Sequence, residues 1–351
     1  MNGIESQGTG VLPAGAEEGA AESARVRDAG LRRMPRMVRL PAFARRGRAP
    51  AGARAQEAGA RGAPQEVADR GLAGVDFAGL EGLARHRRRI GALLTLGLAV
   101  VLMGVFVVLQ PLVLRLGPRA RWWLPPFWYH VIRALTGTRL LCEGRPVEGP
   151  ALFVSNHVSW LDILVLGSAL PKAAFISKRE VRAWGIFGRC AELAHSVFID
   201  RSRRGESARQ RDELAARLDA GDRLILFPEG TSSDGTGVLP FKSALFAVAE
   251  LRPDLKVQPV SLCYAHVNGI PVSRADRPKI GWYGDMELID HVISLMGLGR
   301  ITAVVRFHPP ITLAEAGSRK ALAQYCERMV RAGLDETRKR PALERVGGER
   351  R

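Results

Sequence analysis

An uncharged run of 25 residues, Ile90–Leu114, limits the folds open to this chain more than any other feature. Basic residues flank it, Arg85-His86-Arg87-Arg88-Arg89 before it and Arg115 after it. A helix of this length can cross a bilayer, since a spanning helix needs about 20 predominantly apolar residues. A buried core helix is the alternative, but globular helices seldom stay apolar on every face for so long. The position in the chain and the length of the run disfavour a cleaved signal peptide.

An aromatic cluster, Arg121–His130, follows the apolar run. Rings of this kind sit at headgroup depth, where one edge is apolar and the other is wet. The dipeptide Gln110-Pro111 interrupts the last third of the run, and the arginines at both ends leave its orientation open. We therefore predict a membrane-associated helix pair over residues 85–138. The pair would dip into one leaflet and return the following domain to the same side.

The two ends of the chain have the composition of segments that do not pack. Residues 1–80 are rich in Ala, Gly, Arg and Glu and show no sustained apolar periodicity, so they cannot offset their ordering entropy. We predict that they are disordered, and a start codon placed too early, with Met34 or Met37 as the true start, is a simpler explanation of their sequence. The charged tail, 336–351, is expected to fray.

The formal net charge of +17 is carried almost wholly by arginine. A GC-rich genome gives the same excess, and the chain lacks recognition helices, zinc spacing and aromatic RNA-binding signatures, so we predict no nucleic-acid partner. A basic surface does attract anionic lipid headgroups, phosphorylated substrates and acidic carrier proteins. The four cysteines have no metal-binding spacing, and we interpret them as reduced packing residues and predict no metal site.

Residues 140–335 alternate short apolar runs with amphipathic stretches, which predicts an α/β domain. The runs are 152–155, 174–177, 197–199, 224–227, 257–262 and 304–307, and helix-like segments lie near 160–169, 205–220, 242–251 and 318–333. Continuous apolar strands separated by helices indicate a mostly parallel sheet covered by helices on both faces. Ligands bind such sheets beyond the carboxyl ends of the strands, where the polar motifs of this chain fall.

The first motif is Asn156–Asp162, directly after a predicted strand. Five positions on a helix are 140° apart around its axis, so His157 and Asp162 can meet only if His157 precedes the helix. Ser159 is a suitable N-cap, which would start the helix at Trp160. Asp162 would then fix the tautomer of His157 and raise its basicity, and His157 could accept a proton from a hydroxyl. A purely capping role for Asp162 is the alternative.

Two further motifs close predicted strands. In Phe227–Thr231 the backbone must turn, because Pro228 cannot donate to a ladder and Gly230 permits a positive φ, which exposes Glu229 and amide groups. In Phe198–Arg201, the arginine suits bidentate binding of phosphate or carboxylate. An ordinary turn and an exposed basic turn are the respective alternatives. Lys178 and Lys242 follow the same argument as Arg201.

With a fourth block at Val257–Ser261, these motifs in this order resemble the glycerolipid acyltransferase family, over about residues 140–310. The resemblance implies that His157 is the general base and Asp162 its partner. It further implies that the acceptor's polar head is bound by Arg201 and by the turn of Glu229, Gly230 and Thr231, and we add Asn156 and Lys242 as candidate substrate-binding residues. Stretches at 232–235, 283–286 and 307–310 are similar to bacterial lyso-ornithine lipid acyltransferases.

The reaction implied is acyl transfer from a thioester of coenzyme A or acyl carrier protein to a lysolipid hydroxyl. We expect 1-acyl-sn-glycerol-3-phosphate as acceptor, with lyso-ornithine lipid as the alternative, and no cofactor. Direct attack is predicted, because the chain has no GxSxG elbow and no cysteine near the motifs. A lipid hydrolase and a non-catalytic basic membrane-surface protein are the rival functions. The predicted location is the bacterial inner membrane, with the catalytic domain on the cytoplasmic side.

Overall fold

The computed structural model describes residues 77–200 and 207–340. Most of the segment predicted to be disordered, the end of the charged tail and Arg201 lie outside these residues. Helix α1 begins at Phe77 and the last helix ends at Lys339, so both pass the predicted domain boundaries. The four cysteines are free, and three of them are buried.

Ten helices and eight strands make up the described part of the chain. The helices are α1 (Phe77–Leu114), α2 (Leu124–Leu135), α3 (Leu161–Ala169), α4 (Gly185–Leu193), α5 (Ser207–Asp219), α6 (Val248–Leu251), α7 (Arg277–Ile280), α8 (Leu288–Met296), α9 (Leu313–Ala316) and α10 (Arg319–Lys339). The strands are β1 (Thr138–Glu143), β2 (Ala151–Ser155), β3 (Ala173–Lys178), β4 (Val197–Ile199), β5 (Arg223–Leu226), β6 (Lys256–Val267), β7 (Ile270–Pro271) and β8 (Ile301–Phe307).

The strands form one mixed sheet in the order β1-β8-β6-β2-β5-β3-β4, and β7 pairs with β6. Strands β6, β2, β5, β3 and β4 are parallel to one another, whereas β8 runs antiparallel to β6 and carries β1 beside it in parallel. The prediction of a mostly parallel sheet is confirmed. Strand β1 and helices α4 and α8 were not predicted, and the predicted helix over 242–251 is a 3₁₀ turn followed by the four residues of α6.

Helices cover both faces of the sheet because alternate strand residues point to opposite sides. Phe153 and Ile225 face α1 to α4, and Leu152 and Leu224 face α5 and α10. All four side chains are fully buried, and each contributes roughly 1.5 to 3 kcal/mol of transfer free energy. The sheet is therefore a rigid base, and the loops at its carboxyl edge are held by a packed core on each side.

Helix α1 is one continuous helix through Pro111 and is long and apolar enough to cross a membrane. One of its faces packs on the domain, with buried residues Ala92, Ala99, Met103, Phe106 and Gln110. The opposite face is exposed and apolar, with residues Leu94, Val101, Val105, Val108 and Leu112. The two sets are offset by two positions, or 200° around the axis. Helix α2 packs beside α1, and a membrane-dipping role for the pair remains a prediction.

Candidate active site

The two central motifs meet because β2 and β5 are parallel neighbours in register, with Val154 opposite Leu226. Both strands end at the same edge of the sheet, so the segments that follow them lie side by side. The backbone N–H of His157 donates to Oε1 of Glu229 at 3.3 Å. The loop after β2 and the turn after β5 therefore form one structural unit.

His157 lies on the loop ahead of α3, as predicted, and its ring reaches Asp162. Nδ1 of His157 is 2.7 Å from Oδ2 of Asp162. The imidazole stacks on the ring of Phe227 with centroids 4.1 Å apart, and 19% of the His157 side-chain surface is exposed to solvent. This packing fixes the ring plane. It leaves Nε2 as the nitrogen that a substrate hydroxyl can approach.

The carboxylate of Asp162 is fully buried and accepts hydrogen bonds on both oxygens. Oδ2 also accepts from the N–H groups of Val158 at 2.6 Å and Ser159 at 3.0 Å, and Oδ1 accepts from the hydroxyl of Tyr264 at 2.6 Å. The predicted cap is wrong in detail. Helix α3 begins at Leu161, and Oγ of Ser159 accepts from Leu161 N–H at 3.4 Å. Asp162 thus binds the loop amides as well as His157.

Asn156 is completely buried, and its side chain hydrogen-bonds to the backbone of β6. Its Nδ2 donates to the carbonyl of Leu262, and its Oδ1 accepts from the N–H of Leu262, both at 2.9 Å. The predicted contact with substrate is not available to a side chain in this position. Asn156 instead ties the loop that carries His157 to the neighbouring strand.

Glu229 is also buried, and one of its oxygens, Oε2, has no hydrogen-bond partner among the described residues. Burial raises the pKa of Glu229 to about 8, and the nearby charge of Asp162 acts in the same direction. The carboxyl group faces the backbone of His157 and lies behind the cavity wall. The structure gives it a bracing position where the sequence predicted a contact with substrate.

The turn after Glu229 also hydrogen-bonds to the backbone of His157. Gly230 has φ +75°, which an L side chain rarely adopts and glycine reaches freely. The chain then returns so that the N–H and Oγ of Ser233 donate to the carbonyl of His157 at 2.9 and 3.1 Å. Both polar groups of the His157 backbone are therefore held by the turn.

A cavity of about 410 Å³ opens in front of His157. Its walls come from the sheet edge and from α1 to α4, and they are mainly apolar, including Met103, Trp128, Phe175 and Phe187. Residues with polar side chains also line it: Ser177, Lys178, Glu180, Thr231, Ser232 and Tyr283. An apolar pocket with a few convergent polar groups is the usual form of a site for an amphipathic ligand.

The remaining predicted residues divide between this cavity and other places. Gly230 and Thr231 line it. Lys242 is exposed and lies outside the cavity wall, where its backbone N–H donates to Pro228 O at 2.9 Å. Arg201 follows β4 but falls outside the described residues. The substrate-binding roles of Arg201 and Lys242 therefore stay predictions.

Sequence reasoning missed two partners of the motif. Tyr264 reaches Asp162 from a position 102 residues along the chain. Trp160 lines the cavity and donates from Nε1 to Nδ1 of His291 at 3.0 Å, and burial lowers the pKa of His291, which favours the neutral ring that accepts this bond. Neither Tyr264 nor His291 carries a local motif, so only the fold reveals them.

Comparison with known proteins assigns the chain to a family. A family model described as "Acyltransferase" matches residues 139–263. A lyso-ornithine lipid O-acyltransferase of Brucella abortus (strain 2308) is 44% identical over 60% of this chain and 81% of its own length. The chain belongs to the acyltransferase family. The predicted family and enzyme class are thereby confirmed, and residues 139–263 of this acyltransferase run from β1 into β6 and carry His157, Asp162 and Glu229.

Two other proteins are similar to this acyltransferase. A 1-acyl-sn-glycerol-3-phosphate acyltransferase of Neisseria gonorrhoeae is 34% identical over 54% of this chain and 72% of its own length. The crystal structure of a 1-acyl-sn-glycerophosphate acyltransferase from Thermotoga maritima has a TM-score of 0.54 and 23% identity, and the match covers 73% of this chain and 98% of the other. The latter similarity shows the shared fold.

Proposed function

We propose that this acyltransferase transfers a fatty acyl group from an acyl thioester to the hydroxyl of a lysolipid, with His157 as general base and Asp162 as its partner. The observation that carries the proposal is the His157–Asp162 pair, bonded at 2.7 Å, with His157 in the wall of a mainly apolar cavity. An acyl chain suits the apolar walls, and the polar side chains of the lining suit a hydroxyl and its headgroup.

In the proposed reaction Nε2 of His157 takes the proton of the acceptor hydroxyl as its oxygen attacks the thioester carbonyl. The tetrahedral intermediate collapses, the carbon–sulfur bond breaks and the thiolate takes the proton from His157. No cofactor takes part beyond the thioester. Cys190 lines the same cavity, but burial raises its thiol pKa to about 12, so it supplies no thiolate at neutral pH. This supports direct attack over a thioester-linked enzyme intermediate.

We propose lyso-ornithine lipid as the acceptor. Four relatives with this activity in their names are 34 to 44% identical to this chain, including those of Brucella abortus and Rhizobium meliloti. The Neisseria relative favours 1-acyl-sn-glycerol-3-phosphate as the second candidate. Lys178, at the cavity wall, can pair with the carboxylate of the first headgroup or the phosphate of the second.

We propose that helix α1 lies along the membrane and does not cross it. Its buried face is occupied by the domain over most of the apolar run, from Ala92 to Gln110. A crossing helix would draw that domain into the hydrocarbon. The exposed face therefore enters one leaflet of the bacterial inner membrane on the cytoplasmic side, where coenzyme A and acyl-carrier thioesters are present.

The test offers each acceptor with each donor, acyl-coenzyme A and acyl carrier protein, to membranes containing the full chain. Diacylated product and free fatty acid are measured in the same assay. We expect lyso-ornithine lipid to be converted with little free fatty acid. Preferred conversion of 1-acyl-sn-glycerol-3-phosphate would select the second candidate, and free fatty acid as the main product would make the enzyme a hydrolase.

His157→Ala and Asp162→Asn should each abolish product formation, because the first removes the base and the second removes the charge that orients it. His130→Ala is the matched control, since His130 is an exposed histidine on α2 outside the cavity. All three variants should remain with the membrane fraction. Full activity of the His157 variant would refute the assigned base.

A further inference from the structure

The hydroxyl of Tyr264 donates to Oδ1 of Asp162 at 2.6 Å, deep in the core behind the reacting histidine. We propose that Tyr264 is a positioning residue that fixes the Asp162 carboxylate, and through it the imidazole of His157, in the orientation required for proton transfer. The inference deepens the proposed function and rests on it. It assigns a role to a residue outside the sequence motifs.

The two oxygens of Asp162 are held very differently. Oδ2 receives three donors, His157 Nδ1, Val158 N–H and Ser159 N–H, all from the adjoining loop. Oδ1 accepts a hydrogen bond from the hydroxyl of Tyr264, which belongs to strand β6. The terminal torsion of an aspartate is soft, so its angle is set by the hydrogen bonds that the carboxylate accepts. Tyr264 adds the one restraint that does not come from the adjoining loop, and it acts on the other oxygen.

Strand β6 is built to deliver this hydroxyl. Its register against β8 shifts between Tyr264 and His266, so the regular pairing of the strand changes directly after Tyr264. Two residues earlier, both backbone groups of Leu262 are bonded to the side chain of Asn156. The two hydrogen bonds of Asn156 thus hold the His157 loop against β6, and the Tyr264 hydroxyl reaches Asp162 across this junction.

The phenol acts as a donor at all working pH values. Burial raises the pKa of Tyr264 well above 10, and the charge of Asp162 raises it further. A hydrogen bond to an ionised group is strong, and a buried oxygen without a partner is costly. Loss of this bond should therefore disturb the Asp162 carboxylate and, through it, the orientation of the His157 ring.

The other titratable groups around His157 set the background for a pH measurement. Glu229 approaches from the turn after β5, Lys178 and Glu180 from the end of β3 and the turn after it, and Tyr283 from the loop before α8. Cys263, Arg277 and Arg338 line a small cavity together with Tyr264. The hydrogen bond found for the Tyr264 hydroxyl among the described residues goes to Asp162, so a change at Tyr264 is expected to reach His157 through Asp162.

The test compares the full-length enzyme with Tyr264→Phe, which keeps the ring and removes one oxygen. We expect kcat to fall about ten-fold or more, with KM for both substrates within about two-fold, because the bond that is lost joins a donor to a charged acceptor. The acid limb of the kcat/KM profile should move to higher pH, since a carboxylate with one donor fewer holds an imidazolium more strongly.

A second variant gives the opposite sign. With 3-fluorotyrosine at position 264 the phenol is a stronger donor, so the acid limb should move to lower pH. Tyr325→Phe is the matched control, since Tyr325 is a partly buried tyrosine packed on the opposite face of the sheet, and its profile should be unchanged. A residue that merely stabilised the fold would not give opposite shifts.

A spectroscopic readout separates this inference from the proposed function. The low-field proton signal of the His157–Asp162 hydrogen bond, identified by its loss in His157→Ala, needs no substrate. It should shift in Tyr264→Phe and stay in place in Tyr325→Phe. An unmoved signal and an unmoved pH profile in both Tyr264 variants would overturn the positioning role, even if lysolipid acylation is confirmed. Absence of acyl transfer by the wild type would instead refute the proposed function.

Discussion

Two buried carboxyl groups flank His157, and they differ in the number of donors they receive. Asp162 accepts four hydrogen bonds, whereas Glu229 accepts the His157 N–H at 3.3 Å and leaves Oε2 without a partner. A buried carboxylate with few donors is costly, so Glu229 favours its neutral form. The charge beside the imidazole is thereby concentrated on Asp162, the side that orients the ring.

Glu229→Gln tests this difference through the pH dependence of stability. The raised pKa favours folding fully below pH 4.5, and the advantage is lost as pH rises toward 8, because the unfolded chain releases the proton first. The total change is at most about 5 kcal/mol of unfolding free energy. Glutamine keeps the acceptor for His157 but cannot ionise, so the variant should gain stability relative to wild type between pH 5 and pH 8.

Denaturant unfolding in detergent at both pH values measures this gain. Glu213→Gln, at an exposed position on α5, is the control and should follow the wild type. If wild type and Glu229→Gln lose stability in parallel as the pH rises, Glu229 is ionised in the folded enzyme and the assigned neutral state is wrong.

The sequence predicted the His157–Asp162 pair but not the hydrogen bonds from β6 that hold it in place. The spacing of His157 and Asp162 required the histidine to lie ahead of a helix, and the structure places it there at 2.7 Å from Asp162. Tyr264 and Asn156 act through strand β6, whose position beside β2 depends on the whole sheet. Contacts of that separation have no local sequence signal, so they could not be predicted.

Helix α1 differs at one point from what its sequence predicted. Gln110-Pro111 predicted an interruption, yet the helix continues through both residues. Gln110 is fully buried and donates from Nε2 to the carbonyl of Arg121 at 2.9 Å, so a tertiary contact holds the chain where proline weakens it. The parallel strands were predicted from their continuous apolar runs, whereas the half-exposed β1 lacks such a run.

The exposed apolar face of α1 is the predicted membrane anchor. Val101 and Val108 are 62% and 64% exposed, so Val101→Glu combined with Val108→Glu should fold normally. A helix that lies in the membrane interface binds through the apolar area it buries there, and two glutamates interrupt that area, so the double variant should bind membranes at least about ten-fold more weakly. Flotation with lipid vesicles measures the bound fraction.

Ile270→Glu is the matched control, because Ile270 is 70% exposed on β7 and does not belong to α1. This variant should float with vesicles as the wild type does. If the double variant binds as strongly as the control, the apolar face of α1 is not the membrane anchor.

In the whole molecule, the cavity belongs neither to helices α1 and α2 nor to the sheet alone. Met103 of α1 and Trp128 of α2 line it together with His157 and Phe227, which lie at the edge of the sheet. Phe106 stacks on Trp128 at 5.0 Å, which ties the two helices together at this wall. The proposed lipid-facing surface and the wall of the proposed substrate cavity are therefore two sides of the same helices.

If the lysolipid enters past these helices, the reaction rate should depend on its concentration within the membrane and not on its concentration in solution. A lysolipid that enters from the bilayer never passes through bulk water, so the rate should follow its mole fraction in the membrane or micelle. Adding inert detergent at constant total lysolipid should slow the wild type in proportion to surface dilution. A rate that tracked total lysolipid alone would show that the acceptor arrives from solution and not from the membrane beside α1 and α2.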